Sequence, residues 1–99
     1  MSFSQSSEDI RMEGPVLHAR CRDEEGNWHH SSLNLNDFLG NNDGRLDPEG
    51  SNFFETCSGC GMNGSSIIAV LRQVDGSYDE VVMDLDQLIG NDNGRLVRA

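Results

Sequence analysis

Basic side chains are scarce in this sequence: seven stand against seventeen acidic ones, for a formal net charge of -10. An acidic balance of that size repels phosphate backbones and anionic head groups, which argues against nucleic acid and membrane surfaces as partners. Long apolar runs are absent too. Hydrophobic residues make up 35% of the chain, mean hydropathy is -0.53, and no stretch approaches the roughly 20 apolar residues of a membrane span. Cysteine is limited to Cys21, Cys57 and Cys60, an odd number too small for a disulfide scaffold and suited to a reducing compartment. The opening stretch Met1 to Asp9 has neither the basic nor the apolar region of a secretory signal, so a cytoplasmic location is expected. Nothing in the pattern indicates a long helix.

What is present is a duplication. A slide of fifty residues, without a gap, sets Phe3 on Phe53, Met12 on Met62, Gly14 on Gly64, Ala19 on Ala69 and Arg22 on Arg72. It also sets Gly26 on Gly76, Leu35 on Leu85, Gly40-Asn41 on Gly90-Asn91 and Gly44-Arg45-Leu46 on Gly94-Arg95-Leu96. Internal repetition of this kind means that each unit is one supersecondary element. A unit of about fifty residues with so few apolar side chains cannot bury its own sheet faces, so the two copies are expected to share a core.

Within a unit the apolar period is two. Leu17, Ala19 and Cys21 alternate with His18, Arg20 and Arg22, and Ile67, Ala69 and Leu71 take the same places in the second copy. Turns are expected at Asp23 to Gly26 and at Val74 to Ser77, with return strands from about Asn27 to Leu35 and Ser77 to Leu85. A short helical turn should follow at Leu35 to Leu39 and Leu85 to Ile89, capped by Asn36 or Asp86. Trp28 and Tyr78 fall on equivalent strand positions, where core or half-buried packing is expected rather than a stacking platform.

The middle of the chain, Gly40 to Thr56, gathers asparagine, aspartate and glycine, residues that hydrogen-bond to their own backbone or tolerate positive φ. Asn41-Asn42-Asp43-Gly44 and Asn91-Asp92-Asn93-Gly94 resemble part of a calcium loop, but Leu39 and Gly50 fall where first and last ligands belong, which leaves a tight turn. Cys57-Ser58-Gly59-Cys60 has the spacing of half a zinc knuckle or a redox pair, yet no second such pair exists and the histidines are scattered. Reduced, partly buried thiols are the plainer reading. No nucleophile, base and oxyanion arrangement is recognisable and the histidines have no identifiable partner, so no enzyme is expected. The polar loop groups mix amide, carboxylate and hydroxyl, the combination that sugar hydroxyls require, although ordinary surface turns contain it as well.

Phe3-Ser4-Gln5-Ser6, the segment Ser31 to Asn36, Asn42-Asp43-Gly44 with Leu46, and above all Ser51-Asn52-Phe53-Phe54-Glu55-Thr56-Cys57 followed by Gly64-Ser65-Ser66 resemble the cyanovirin-N homology family of lectins. The resemblance covers nearly the whole chain. It implies an all-β, pseudo-symmetric, tandem-repeat fold of two halves, each a three-stranded sheet plus a β-hairpin with short helical turns. It further implies one domain, 1–99, whose repeats 1–50 and 51–99 exchange strands, and which is a monomer able to form a swapped dimer through Asp47-Pro48-Glu49-Gly50. The implied activity is non-catalytic and needs no metal or cofactor: binding of high-mannose oligosaccharides or glycoproteins through terminal Manα1-2Man units.

Carried onto matching positions, one site would use Asn41, Asn42, Asp43, Ser51, Asn52, Glu55, Thr56, Arg72 and Gln73. The other would use Gln5, Ser6, Arg22, Asp23, Glu24, Asn91 and Asn93. The chain departs from the family at its disulfide positions, which read Ser7 with Cys21 and Cys57 with Leu71, so neither bridge can form. Val74 stands for a basic residue and Gly40 for an acidic one at the mid-chain site, while Arg22 and Asn93 stand for acids at the other. The alternative function is a fold that has lost mannose binding and acts through a Cys57/Cys60 thiol or metal.

Overall fold

The period-two stretches fold as strands, and the duplication is written into their order. The computed structural model describes residues 3–98. Its first repeat runs β1 (Ser7–Glu13), β2 (Val16–Arg22), β3 (Trp28–Asn34), β4 (Gly40–Asn42) and β5 (Arg45–Asp47); the second runs β6 (Cys57–Asn63), β7 (Ser66–Arg72), β8 (Tyr78–Asp84), β9 (Ile89–Asp92) and β10 (Arg95–Arg98). Two antiparallel three-stranded sheets, β1-β2-β3 and β6-β7-β8, and two hairpins, β4-β5 and β9-β10, account for all of these strands. Short 3-10 turns at Phe3–Ser6, Leu35–Asp37, Phe53–Thr56 and Leu85–Gln87 connect them.

Leu17, Ala19, Cys21, Ile67, Ala69 and Leu71 are fully buried, as the alternation requires, and Phe3, Phe53, Leu35, Leu85, Leu39 and Ile89 close the same core. Each fully buried aliphatic or aromatic side chain contributes about 1.5–3 kcal/mol through burial. Turn chemistry also follows the sequence. Asp43 and Asn93 adopt φ of 50° and 52°, and the glycines after them 85° and 93°, so a substitution with Cβ at Gly44 or Gly94 is strained.

Each hairpin lies against the sheet of the opposite repeat. β4-β5 reaches β8 and the β7-β8 turn, where the Asn41 side chain donates to the Arg72 carbonyl at 2.8 Å. β9-β10 lies on β3, and the Leu96 N–H donates to the Ser31 hydroxyl at 3.0 Å. The described residues span 50 × 21 × 17 Å, an elongated body with one sheet and one hairpin toward each end.

Three local expectations are corrected. The 3-10 turns are capped by Asn34 and Asp84, whose side chains accept from the N–H groups of Asn36 and Asp86. Asn36 and Asp86 instead reach the other repeat, accepting from the N–H groups of Phe54 and Ser4, each at 3.0 Å. Trp28 and Tyr78 lie outside the core, 40% and 59% exposed, because their register partners Arg22 and Arg72 lie on the outer faces of the sheets. The Arg20 and Arg22 guanidiniums lie 5.8 and 5.9 Å from the Trp28 ring, within cation-π range. The histidines, finally, have partners. His18 and His30 share a 3.1 Å hydrogen bond across the sheet, and His29 turns to Asp23.

Candidate functional site

The same construction appears twice. At the mid-chain turn, Asn41 spends its whole amide on the scaffold: Nδ2 donates to the Thr56 hydroxyl at 2.7 Å and to the Arg72 carbonyl, while Oδ1 accepts from the Gly44 N–H at 2.8 Å. Asn91 repeats this, with Nδ2 to the Ser6 hydroxyl and the Arg22 carbonyl at 2.9 Å and Oδ1 to the Gly94 N–H at 2.8 Å. The next bond is shared as well. Asp43 Oδ1 accepts from the Val74 N–H at 2.9 Å, and Asn93 Oδ1 accepts from the Glu24 N–H at 2.9 Å. One asparagine per half thus ties together its own turn, a 3-10 turn and the hairpin turn of the other repeat, and a cleft opens at that junction.

The mid-chain cleft encloses about 270 Å³ and is lined by Asn41, Asp43, Thr56, Arg72, Gln73 and Val74. Thr56 accepts from Asn41, so its own O–H remains to donate outward, and Asp43 keeps one carboxylate oxygen beyond the bond to Val74. Of the expected residues, Ser51, Asn52 and Glu55 are exposed on the neighbouring segment and outside this lining. Asn52, with φ of 60°, starts the Phe53–Thr56 turn, which carries Thr56 to the cleft. Asn42 faces the other way, into an adjoining groove with Asp43, Arg45, Gln73 and Asp79. Arg45 and Asp79 escaped the sequence reading because Asp79, across from Leu71 on the core-facing side of the sheet yet exposed near the start of its strand, has no local signal of its own.

The terminal cleft also encloses about 270 Å³ and is lined by Ser6, Arg22, Asp23, Glu24, Asn91, Asp92 and Asn93. Gln5 is exposed and outside that lining, and Asp92 was not anticipated. The Asp23 carboxylate is engaged internally: Oδ1 accepts from the N–H groups of Glu25 and Asn27 at 2.9 Å, and Oδ2 from His29 Nε2 at 2.6 Å. The His29 bond, then the Asn27 N–H, holds Asp23 below the ordinary aspartate value of 3.8.

The thiols point elsewhere. Cys60 donates to the Gly14 carbonyl and Cys57 to the Gly59 carbonyl, both at 3.1 Å, and burial together with neighbouring Cys57 pushes Cys60 up to about 11. About one Cys60 thiol in ten thousand is ionised at pH 7, a poor nucleophile or metal ligand.

Two matching polar clefts, each assembled at a junction between the repeats, define an all-β, pseudo-symmetric binding module. Residues 3–97 match the CVNH domain, and the chain belongs to this cyanovirin-N homology family. A cyanovirin-N homolog of Neurospora crassa is 43% identical over 60 residues, a stretch covering 57% of the chain and 54% of that relative, about half of each. Among solved structures, a designed cyanovirin-N homolog lectin is 34% identical with a TM-score of 0.92, over 100% of both chains. The CVNH protein of Gibberella zeae is 35% identical with a TM-score of 0.86, over 97% of this chain and 95% of that one. Microvirin, solved with mannobiose, is 28% identical with a TM-score of 0.85, over 99% and 98%.

Proposed function

We propose that the chain is a non-catalytic lectin for high-mannose glycans, binding terminal Manα1-2Man units chiefly in the mid-chain cleft. The observation that carries this reading is the lining of that cleft, where an outward hydroxyl, a half-engaged carboxylate, a guanidinium and a primary amide converge. Adjacent sugar hydroxyls both donate and accept, and each such bond contributes about 0.5–1.5 kcal/mol net. A neutral ligand is also the kind that a chain of net charge -10 does not repel. The mannobiose complex of microvirin supports mannose as the sugar. The terminal cleft is the weaker second site, because its Asp23 carboxylate is already occupied and Asn93 offers an amide where Asp43 offers a charge.

The chain acts as a monomer in this reading, with the linker Asp47-Pro48-Glu49-Gly50 as the hinge for a swapped dimer at high concentration, which sedimentation at several concentrations would reveal. Cys21 beside Ser7 and Cys57 beside Leu71 suit a reducing, cytoplasmic compartment. Calorimetric titration with Manα1-2Man tests the sugar assignment. Asp43→Ala should weaken binding about tenfold, the loss of a charged acceptor. Unchanged affinity would move the principal site elsewhere.

A further inference from the structure

We propose that His18 and His30 form a binding site for a divalent transition-metal ion on the outer face of the first sheet, with Glu13 as the positioning residue behind it. The inference is independent of the mannose reading, because none of the three lines either cleft. Leu17 and Ala19 on either side of His18 are buried, and His30 stands across from the exposed Arg20, so both rings project away from the core. Nδ1 of His18 lies 3.1 Å from Nε2 of His30, with the ring planes 23° apart. Zinc–imidazole bonds of about 2.0–2.1 Å place two nitrogens on one ion roughly 2.9–3.4 Å apart, so the pair already has chelating spacing. The ion takes the place of the hydrogen bond. Each ring turns its lone pair off the line between the nitrogens by rotation about Cβ–Cγ, a soft torsion, and the exposed His30 has room to do so.

Glu13 Oε1 lies 3.8 Å from Nε2 of His18. A carboxylate there keeps the proton on Nε2 and leaves Nδ1 its lone pair, the tautomer that a metal needs. Arg11 and Arg20, the register partners of His18 and His30, are met by Asp9 at 3.4 Å and Glu8 at 3.3 Å, which offsets their repulsion of a cation. The net charge of -10 attracts one. Among the described residues no group of three or more His, Cys, Asp and Glu side chains is placed to hold a metal, so water completes the coordination of this two-histidine site. Imidazole ligands select Cu2+ and Zn2+ over the harder Mg2+ and Ca2+.

The duplication supplies a contrast. The fifty-residue slide carries Glu13, His18 and His30 onto Asn63, Ile68 and Glu80, although β7 and β8 pair in the same register as β2 and β3. The fold therefore does not require histidine at these places, and the pair belongs to the first repeat alone. An ion held by both rings ties β2 to β3 in a chain whose cysteines are free, and it stabilises the fold as its occupancy rises.

The test is titration of the whole chain with Zn2+ under a non-thiol reductant, followed by histidine ring resonances and calorimetry. One ion per chain should move the His18 and His30 ring signals together and leave His29 in place, and Mg2+ should move none of them. His30→Gln should weaken the affinity at least tenfold. Glu13→Gln should weaken it about tenfold and shift His18 from the Nε2–H form to a mixture of tautomers in its ring nitrogen spectrum, a change that a purely structural role would not produce. Both side chains are exposed, and an unchanged amide spectrum confirms that each variant is folded. Unmoved His18 and His30 signals, shifts centred on His29 or on Cys57 and Cys60, or equal affinity in the parent and His30→Gln would overturn the site. Unchanged affinity and tautomer in Glu13→Gln would overturn the part given to Glu13.

Discussion

At the scale of single residues, asparagine carries the architecture and aspartate the chemistry. Asn41 satisfies three partners from three segments, so Asn41→Ala should cost about 2–4 kcal/mol in chemical denaturation, with Asn91→Ala close behind. An effect below about 0.5 kcal/mol would show that these bonds do not hold the junction. Asp23 makes a pH prediction of definite sign. Its folded pKa is depressed, so its contribution is present above the unfolded value and is lost as pH falls through the folded one, below 3.8. The amide resonances of Glu25 and Asn27 should hold steady down to about pH 4 and move only below it, and Asp23→Asn should abolish that step. A transition above the ordinary value would contradict the assignment. Ser7 stands directly across from Cys21, its hydroxyl 3.3 Å from the sulfur. Ser7→Cys should therefore close a bridge on oxidation and stabilise the fold by about 3 kcal/mol, as expected for a loop of about 15 residues. Equal melting temperatures with and without reductant would refute it.

At the scale of elements, the strands and turns were legible in the sequence because each follows from a local rule. Period-two alternation placed Leu17, Ala19 and Cys21 inward, and Asn-Asp-Gly chemistry placed the left-handed residues of the hairpin turns. What was not legible depends on partners distant in the chain. Asn36 and Asp86 look like caps from their neighbours, but a backbone donor of the other repeat claims each side chain. Arg45 and Asp79 line one groove across a gap in sequence that no spacing rule spans. The linker is a further case, because its tightness comes from two glycines on different elements. A Cβ on Gly50 would lie 2.9 Å from the Gly40 Cα, and one on Gly40 would lie 2.9 Å from the Ser51 nitrogen. Gly50→Ala should accordingly cost about 1–3 kcal/mol by denaturation and raise the dimer fraction, since strain at the linker is relieved when it opens. A variant as stable as the parent would mean that the two backbones can separate freely.

At the scale of the molecule, the duplication sets both stability and valency. Each sheet is covered by the hairpin of the other repeat, so we propose that residues 1–99 form one strand-exchanged domain of repeats 1–50 and 51–99. A fragment of residues 1–50 should be unfolded by circular dichroism, and the whole chain should melt in one transition. Two clefts on one elongated body would also let the protein bridge two branches of a glycan, which needs both to be active. Of the residues the family motif pointed to, Asn41, Asp43, Thr56, Arg72 and Gln73 line one cleft and Ser6, Arg22, Asp23, Glu24, Asn91 and Asn93 the other, whereas Ser51, Asn52, Glu55 and Gln5 lie outside both. Which lining groups are already engaged by the scaffold, as Asp23 is by His29, required the third dimension. The most direct measurement is a two-dimensional amide titration with Manα1-2Man. Shifts centred on Asn41, Asp43, Thr56, Arg72 and Gln73, with weaker ones at Ser6, Glu24, Asn91 and Asn93, are the predicted result. No shifts at millimolar sugar would contradict the account and leave a lectin fold without mannose binding.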